Sequence, residues 1–335
     1  MASVRIPFSR DNQLCNSLEV SQNPFSIKRQ SIGKNTLPGQ PRIDLNSSDM
    51  TEYLSKELMT PKLDQLAPHM WLLATPDSGH VYSLTRQVVK GRSIVVTEDP
   101  SLHLVWFYDR IYLKPLPKYL LSYAFWEFYL AGNNSSVPIE TRQALAKAAQ
   151  GFIRTYGNLI RHKSDFLIAK SENDAKNRLI PKHVSYLQFT RFISAFEHLL
   201  NDTVSPRYAF GQLRLTRLNF WSKIYLHQLT FEKIYIQYGA YFARFYGPIG
   251  FIFAVFSVSL SAMQVVLAVQ PLDQSSPSWQ LFAYVSRGFS IGSLVSVAII
   301  TMLLMTALLV LIFREAIFAT RVQWKKRRGQ SLIKC

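Results

Sequence analysis

The chain has 335 residues, a net charge of +17 and a mean hydropathy close to zero. This length allows one or two soluble domains, and the near-zero mean hydropathy excludes a transporter with many membrane spans. The two cysteines, Cys15 and Cys335, lie at opposite ends of the chain. That placement argues against a structural disulfide and is typical of a reducing compartment.

The N-terminal residues have the composition of an unstructured segment. Residues 1–47 are rich in Ser, Asn, Gln and Pro, and a run of turn-forming residues extends from Gly33 to Gln40. A segment of this kind offers few apolar side chains to a core. The sequence therefore predicts a disordered or loosely held arm.

Residues 48–245 are expected to form a soluble, mainly helical α+β domain. Asp49 and Glu52 have the spacing of a capping box at the start of a helix, and Pro61 stops or bends that helix. Between residues 93 and 116, short β-branched and aromatic runs alternate with turn residues. This pattern predicts a small sheet or hairpin.

The rest of this domain is predicted to be helical. The aromatic segment Lys118–Leu130 has too few apolar residues to span a membrane, so we expect it to dock on the sheet, or alternatively to lie in the membrane interface. A helix is expected from Pro138, followed by helices around Val184–Leu200 and Tyr208–Phe245. The helix after Pro138 carries an apolar stripe for packing within the chain or in a short coiled coil. Its members are Leu145, Ala149, Phe152, Tyr156 and Leu159.

Two apolar runs without ionisable residues close the chain, at about residues 247–269 and 288–313. Each is long enough to cross a bilayer as an α-helix, which needs about 20 apolar residues. A buried hairpin of a large soluble domain is the alternative. The predicted fold is therefore a mostly α membrane protein, in which an N-terminal α+β domain precedes a two-helix transmembrane hairpin over residues 246–313.

The distribution of charge predicts the topology of this hairpin. The tail, residues 314–335, has seven basic residues and one acidic residue, and residues 1–245 also have an excess of basic residues. Positive flanks stay on the cytosolic side during insertion. We therefore expect a multi-pass protein with both termini in the cytosol and only the loop Gln270–Arg287 on the far side. Which membrane it occupies is left open.

Small and polar residues within the spans are candidates for helix packing. They recur every four residues and would allow two helices to approach closely, within the chain or between two copies in a homo-oligomer. A large polar side chain in the first span should bond to a neighbouring helix or, alternatively, line a conduction path. The small residues are Gly288, Gly292 and Ser296 in the second span and Ser257 and Ser261 in the first, and the large polar residue is Gln264.

A basic cluster follows the second span closely enough to meet anionic headgroups of the lipid bilayer. The cluster is also explained as a topology determinant, and no recognisable motif supports nucleic-acid binding. Protein partners are expected but not identified. The cluster consists of Lys325, Lys326, Arg327 and Arg328.

No residue pattern supports a catalytic, cofactor-binding or metal-ligating site. The seven histidines never form the i, i+4 pair with a carboxylate that a helical zinc hydrolase needs, and His162 with Asp165 is better explained as a surface ion pair. Nucleophile elbows, phosphate-binding loops and dinucleotide fingerprints are absent from the sequence. The sequence therefore predicts no cofactor and favours a protein that is not an enzyme.

Three strings resemble a family of filamentous-fungal proteins catalogued only as a domain of unknown function, with a soluble N-terminal part and two C-terminal spans. They are DRIYLKPLPKYLL (Asp109–Leu121), RLNFW (Arg217–Trp221) and SLSAMQVVLAV (Ser259–Val269). The resemblance covers about residues 60–315. It implies an architecture and a fungal origin, but no activity, ligand or catalytic residue.

The architecture also resembles the CorA-type magnesium channels, in which long cytosolic helices lead into two terminal spans. That family uses a Gly-Met-Asn motif at the end of its first span, where this chain has Ala262-Met263-Gln264 deep in the span. The preferred hypothesis is a membrane-anchored cytosolic interaction or scaffold module. An oligomeric CorA-like cation channel or transporter is the alternative, and a membrane-tethered enzyme comes third.

Overall fold

The computed structural model describes most of the chain in two compact units, Met1–Lys233 and Ile234–Cys335. The division precedes a helix that begins at Tyr238, whereas the sequence places it at 245/246, because that helix starts well before the uncharged run. The described residues are 5–20, 26–30, 35–74, 77–132, 137–171, 178–228, 230–232, 238–269, 280–282, 284–303 and 305–306.

The N-terminal arm is folded where the structure describes it, so the prediction of a disordered or loosely held arm was wrong there. Strands β1 (Leu18–Val20) and β2 (Ile27–Arg29) pair antiparallel, and β3 (Thr36–Leu37) pairs antiparallel with β4 (Gln40–Asp44). The few apolar residues of the arm reach the core of the unit. Phe8, for example, is buried and meets other core rings edge to face.

Two short helices follow the arm, α1 (Met50–Leu58) and α2 (Pro61–Leu66). Asp49 precedes α1 as predicted, but its side chain does not cap the helix. Glu52 pairs with Lys56 one turn later instead of closing a capping box.

The predicted sheet is present and has four strands. After helix α3 (Leu84–Val89), the chain forms β5 (Ser93–Val96), β6 (Val105–Phe107) and β7 (Arg110–Leu113), as the sequence pattern indicates. The spatial order is β5-β7-β6-β8, in which β6 and β7 form a hairpin and β5 lies parallel to β7. The fourth strand, β8 (Leu213–Arg214), was not predicted, because two residues carry no alternation signal.

The aromatic segment after the sheet is buried in the core, as docking within the fold requires, and its short helix contacts strand β1 of the arm. It forms a 3-10 turn at Lys118–Leu121 and then the short helix α4 (Tyr123–Phe125), which continues as a π-helix over Trp126–Ala131. Trp126 is fully buried and donates its Nε1–H to the carbonyl of Leu120. An interfacial position of this segment is thereby excluded.

Three helices follow: α5 (Ile139–Leu159), α6 (Lys163–Lys170) and α7 (Tyr186–Glu197). Helix α5 packs against α1 and α7, and α6 packs against α3. The apolar stripe of α5 is buried within the chain, as predicted. Helix α7 begins with a capping box between Ser185 and Gln188.

The last helix of the first unit, α8 (Leu215–Tyr225), is shorter than the sequence suggests. The expected helix over Tyr208–Phe245 is wrong, because a 3-10 turn at Pro206–Ala209 and strand β8 occupy its first part. After α8 the backbone turns, and His227 has a positive φ of 52°.

The second unit contains helix α9 (Tyr238–Val269) and helix α10 (Gln280–Leu303). Helix α10 begins eight residues before the predicted second span, so Arg287 lies within it. A mostly helical chain with small sheets in its N-terminal part and two apolar helices near its C-terminus is thus confirmed. Membrane insertion of the two helices stays a prediction.

Candidate functional site

Helices α9 and α10 are long and apolar enough to cross a membrane, at Tyr246–Val265 and Gln280–Leu303. The share of each stretch that is buried is 0% for the first and 11% for the second. A core helix of a soluble protein would be mostly buried, because burial of apolar side chains is what stabilises it. The exposed side chains of these two helices include Phe251, Phe253, Val258, Leu294, Val297 and Met302.

Contact between the two helices runs through a stacked ring pair, Phe256 and Phe289, with centroids 5.8 Å apart. Ser286 and Ser293 are buried on the same side of α10, at three residues before and four residues after Phe289. The Ser293 hydroxyl donates to the carbonyl of Phe289 and so is satisfied within its own helix. Among the described residues, the contact between the helices is therefore a ring pair, with two buried serines on the same side of α10.

The predicted packing strip does not form this contact. At Gly288 and Gly292, no atom lies within 4 Å of the place where a Cβ would stand. Ser296 is exposed as well, and its hydroxyl donates to the carbonyl of Gly292. Packing of this strip against the first span within the chain was therefore a wrong expectation, because Phe289 and the buried serines occupy a different side of α10.

The matching residues of α9 are also on its outside. Ser257 and Ser261 are exposed, and the Ser261 hydroxyl donates to the carbonyl of Ser257. Gln264 is exposed too, and its bond to a neighbouring helix stays a prediction. Contact of these residues with a second copy stays a prediction, and the basic cluster Lys325–Arg328 lies outside the described residues.

The first unit holds a buried polar network around His103, a residue that sequence reasoning left without a role. Its Nδ1 accepts from the backbone N–H of Lys114 at 3.1 Å, and its Nε2 lies 2.8 Å from the hydroxyl of Thr155. Since Thr155 gives its own proton to the carbonyl of Phe152, the His103 Nε2 must be the donor. Burial, with Arg207 and Lys114 nearby, holds the pKa of His103 well below its usual value, so the ring is neutral.

Lys114 extends this network to the edge of the fold. Its ammonium is fully buried, pairs with the carboxylate of Glu57 at 2.6 Å and also donates to the carbonyl of Glu98. Burial raises the pKa of Tyr119 well above its usual value, and within the described part of the chain the hydroxyl of that residue has no hydrogen-bond partner. The positive charge of Lys114 is thus paired with groups inside the fold.

Arg207 likewise forms its hydrogen bonds with backbone groups inside the fold. Its guanidinium is buried and donates to the carbonyls of His103, Phe210 and Gly211, and its backbone N–H donates to the carboxylate of Asp64. Burial lowers the pKa of Arg207 to about 10, which leaves it charged at neutral pH. The network therefore links the segment before β6, helix α2 and the segment before β8 through hydrogen bonds. Its polar groups are hydrogen-bonded to one another and to backbone rather than positioned to react with a ligand.

His162 and Asp165 do not form the predicted surface ion pair. The Asp165 carboxylate accepts the backbone N–H groups of Arg161, His162 and Thr85, which makes it a cap for α6. Burial raises the pKa of Asp165, but these hydrogen bonds outweigh that effect and lower it overall. Among the described residues, no group of three His, Cys, Asp or Glu side chains is placed to hold a metal ion.

Several open cavities mark the surface of the first unit. One, about 940 Å³, lies between residues 5–9 of the arm and helices α5 and α7, and its charged lining residues are Arg5, Lys147 and Asp202. The second, about 660 Å³, is lined by Arg29, Lys118 and His183 and by no carboxylate. Neither cavity has the enclosed apolar walls of a typical small-molecule site.

The sequence matches the model of one family over residues 50–297, which is well over half of the chain. No curated protein and no solved structure matches it. The match spans the four-stranded sheet, the buried network around His103 and most of the two apolar helices. The chain therefore belongs to DUF6601, described as a family of unknown function.

Proposed function

We propose that this chain is an integral membrane protein that crosses its membrane twice and presents a folded N-terminal module to the cytosol. The module acts as an interaction or scaffold domain for partners that are not identified. The resemblance of three strings to filamentous-fungal proteins supports a fungal origin in addition.

The exposure of apolar side chains on α9 and α10 is the observation that carries the proposal. Nine Ile, Leu, Phe and Val residues lie between Tyr246 and Val265, and each favours the centre of a bilayer by about 0.3–0.6 kcal/mol. Their sum is about 3–5 kcal/mol for the first span. In water the same surface would be an aggregation site far larger than a soluble monomer tolerates.

Arg287 is compatible with this placement although it lies within α10. It is exposed and stands seven residues after Gln280, in the first third of the helix. A long basic side chain near a helix end can extend its charge to the headgroups while its stem stays among lipid tails. The excess of positive charge on both sides of the hairpin supports cytosolic termini.

The N-terminal unit supports a binding module better than a catalytic one. His103 and Arg207, whose pKa values burial lowers, are hydrogen-bonded to backbone groups inside the fold, and Arg207 donates to the carbonyl of His103. A general acid or base must instead reach a substrate. What remains for function is the surface of the unit.

Two measurements on the full chain test the proposal. The protein should stay in the membrane pellet after extraction at alkaline pH. A glycosylation acceptor inserted near Asp273 should be modified, whereas the native acceptors Asn46 and Asn201 should not be. Release into the supernatant would refute membrane integration, and glycosylation at Asn201 would refute the orientation.

Ion flux separates the module from the CorA-like alternative. The purified protein in liposomes should carry no selective cation current, and Gln264→Leu should change nothing in this assay. A cation current that this substitution alters would refute the interaction-module hypothesis and support the channel.

A further inference from the structure

Helix α8 presents an exposed face that combines large apolar and basic residues. Leu215, Leu218 and Ser222 are buried against the unit, so the opposite side of the helix faces solvent. On that side Phe220 and Ile224 are 56% and 49% exposed, although side chains of this kind usually help to form a core. The exposed basic residues of the same side are Arg217 and Lys223.

A neighbouring segment extends this surface. The ring of His69 stacks on Tyr225 with centroids 3.9 Å apart, and Arg217 donates to the carbonyl of Leu73 at 3.4 Å. Trp71 lies between these two contacts along the chain and is 62% exposed. The α8 surface, defined as Trp71, Arg217, Phe220, Lys223 and Ile224, therefore presents three large apolar side chains with two positive charges.

Basic residues outnumber acidic ones in this part of the chain. Residues 213–231 contain Arg214, Arg217 and Lys223 but no Asp or Glu, and residues 67–74 contain none either. Glu232 follows this stretch, and its backbone bonds to the side chain of Asn219 in α8. Arg214 lies over the ring of Trp106 at 5.1 Å, which adds another cation beside the start of α8. The partner of this surface must therefore be anionic and must also accept apolar side chains.

We infer that the α8 surface lies on the anionic leaflet of the membrane that α9 and α10 cross. The inference rests on the proposed function, because it requires those helices to span a bilayer. Residues 226–237 join α8 to α9, and twelve residues reach at most about 43 Å. This tether confines the end of α8 to within that distance of the start of α9, whereas an acidic protein would have to be recruited from solution. Trp, Phe and Ile beside Lys and Arg are typical of a helix that lies in the membrane interface.

Hydrogen exchange of the full chain in lipid nanodiscs tests this inference. Peptides covering residues 213–226 should exchange more slowly in phosphatidylcholine discs containing phosphatidylserine than in discs of phosphatidylcholine alone. Each basic residue near an anionic leaflet contributes about fivefold to the ratio of bound to free surface. Lys223→Gln should therefore lower that ratio about fivefold, and Arg217→Gln with Lys223→Gln about 25-fold. High salt should also lower the ratio of bound to free surface, because it screens exposed charges.

Matched variants test whether the protection depends on the α8 surface or only on the total positive charge of the protein. Lys62 and Lys163 are exposed basic residues of α2 and α6, and replacing both with Gln should leave exchange of residues 213–226 unchanged. Phe220→Ser with Ile224→Ser should also abolish the protection, since it removes the apolar part of the contact. Both positions are exposed, so these variants should fold.

Several results would overturn the inference while leaving the proposed function intact. Equal exchange in the two kinds of disc would exclude recognition of anionic lipid. An equal loss in the Lys62 and Lys163 variant would reduce the effect to net charge. Protection that appears only when a disc holds two copies would identify a second chain as the occupant. Release of the protein from membranes at alkaline pH would instead refute the proposed function itself.

Discussion

Replacing Gly151 with alanine should destabilise the N-terminal unit, whereas the same replacement at Gly157 in the same helix should not. A Cβ at Gly151 would stand 2.5 Å from Cδ2 of Tyr208 and 2.7 Å from its Cβ. The Tyr208 Cβ is fixed to a backbone whose carbonyl accepts from Arg154, so the neighbour cannot simply rotate away. At Gly157 the nearest atom is Cγ of the exposed Glu197 side chain at 3.3 Å, which can move.

The two effects that set the size of the change have opposite signs. Alanine stabilises a helix interior by about 0.5–1 kcal/mol relative to glycine, and overpacking of a core costs about 1–3 kcal/mol. Since the contacts at Gly151 are far inside van der Waals distance, we expect the upper end of that cost and a net loss of about 2 kcal/mol. For a unit of this size the transition temperature should fall by about 4–8 °C.

Thermal unfolding of the full chain in mild detergent, followed by tryptophan fluorescence, measures this difference. Gly157→Ala should unfold at the wild-type temperature or up to about 4 °C higher. A Gly151→Ala protein as stable as the wild type would refute the packing of α5 against Tyr208. A comparable loss at Gly157 would show that the helix, and not this contact, is sensitive to the change.

Three further predictions concern the buried histidine and the helix pair. In the unfolded state His103 takes up a proton near pH 6.5, whereas in the folded state it stays neutral. The free energy of unfolding should therefore fall by up to about 1.4 kcal/mol for each pH unit below 6.5. Denaturant titrations between pH 7 and 5 measure this fall, and His103→Gln should remove it. Val258→Arg, in the middle of the exposed face of α9, should weaken insertion by about 3–4 kcal/mol and increase the fraction extracted at alkaline pH. Ser293→Leu should separate α9 from α10 and lower the stability of the pair in detergent, whereas Gly292→Leu should leave it unchanged because its side chain would enter open space.

Much of the fold could be predicted from local sequence patterns. The runs between residues 93 and 116 alternate like strands, and the α5 stripe repeats like one side of a helix, so period alone identifies both. Strand β8 could not be found in this way, since two residues have no period and its pairing with β6 joins positions far apart in sequence. The end of α8 at Tyr225 was missed for a related reason, because the turn at His227 uses a backbone conformation that few side chains favour.

The folded arm shows why composition was misleading here. Polar composition predicts disorder when a segment must bury its own surface. Residues 5–20 instead lend single side chains, such as Phe8 and Leu18, to a core that later helices build. A segment that completes another element's core needs only a few apolar residues, so its mean hydropathy says little about its order.

For the candidate surfaces too, sequence patterns predict some features, and others depend on how the helices pack. Length and apolar content are sufficient to identify α9 and α10 as helices that could cross a membrane, because a bilayer requires both of any single span. Which side of each helix meets the other is a different matter, since two helices contact each other along one stripe and leave the remaining sides to lipid. A strip of small residues such as Gly288 and Gly292 is as well tolerated against lipid as against a helix, so its spacing does not identify the seam. The amphipathic side of α8 had a weaker signal still, because Phe220 and Ile224 resemble core residues until the core is known to lie on the other side of the helix. Only the folded unit distinguishes an apolar residue that stabilises the domain from one that stays exposed on its surface.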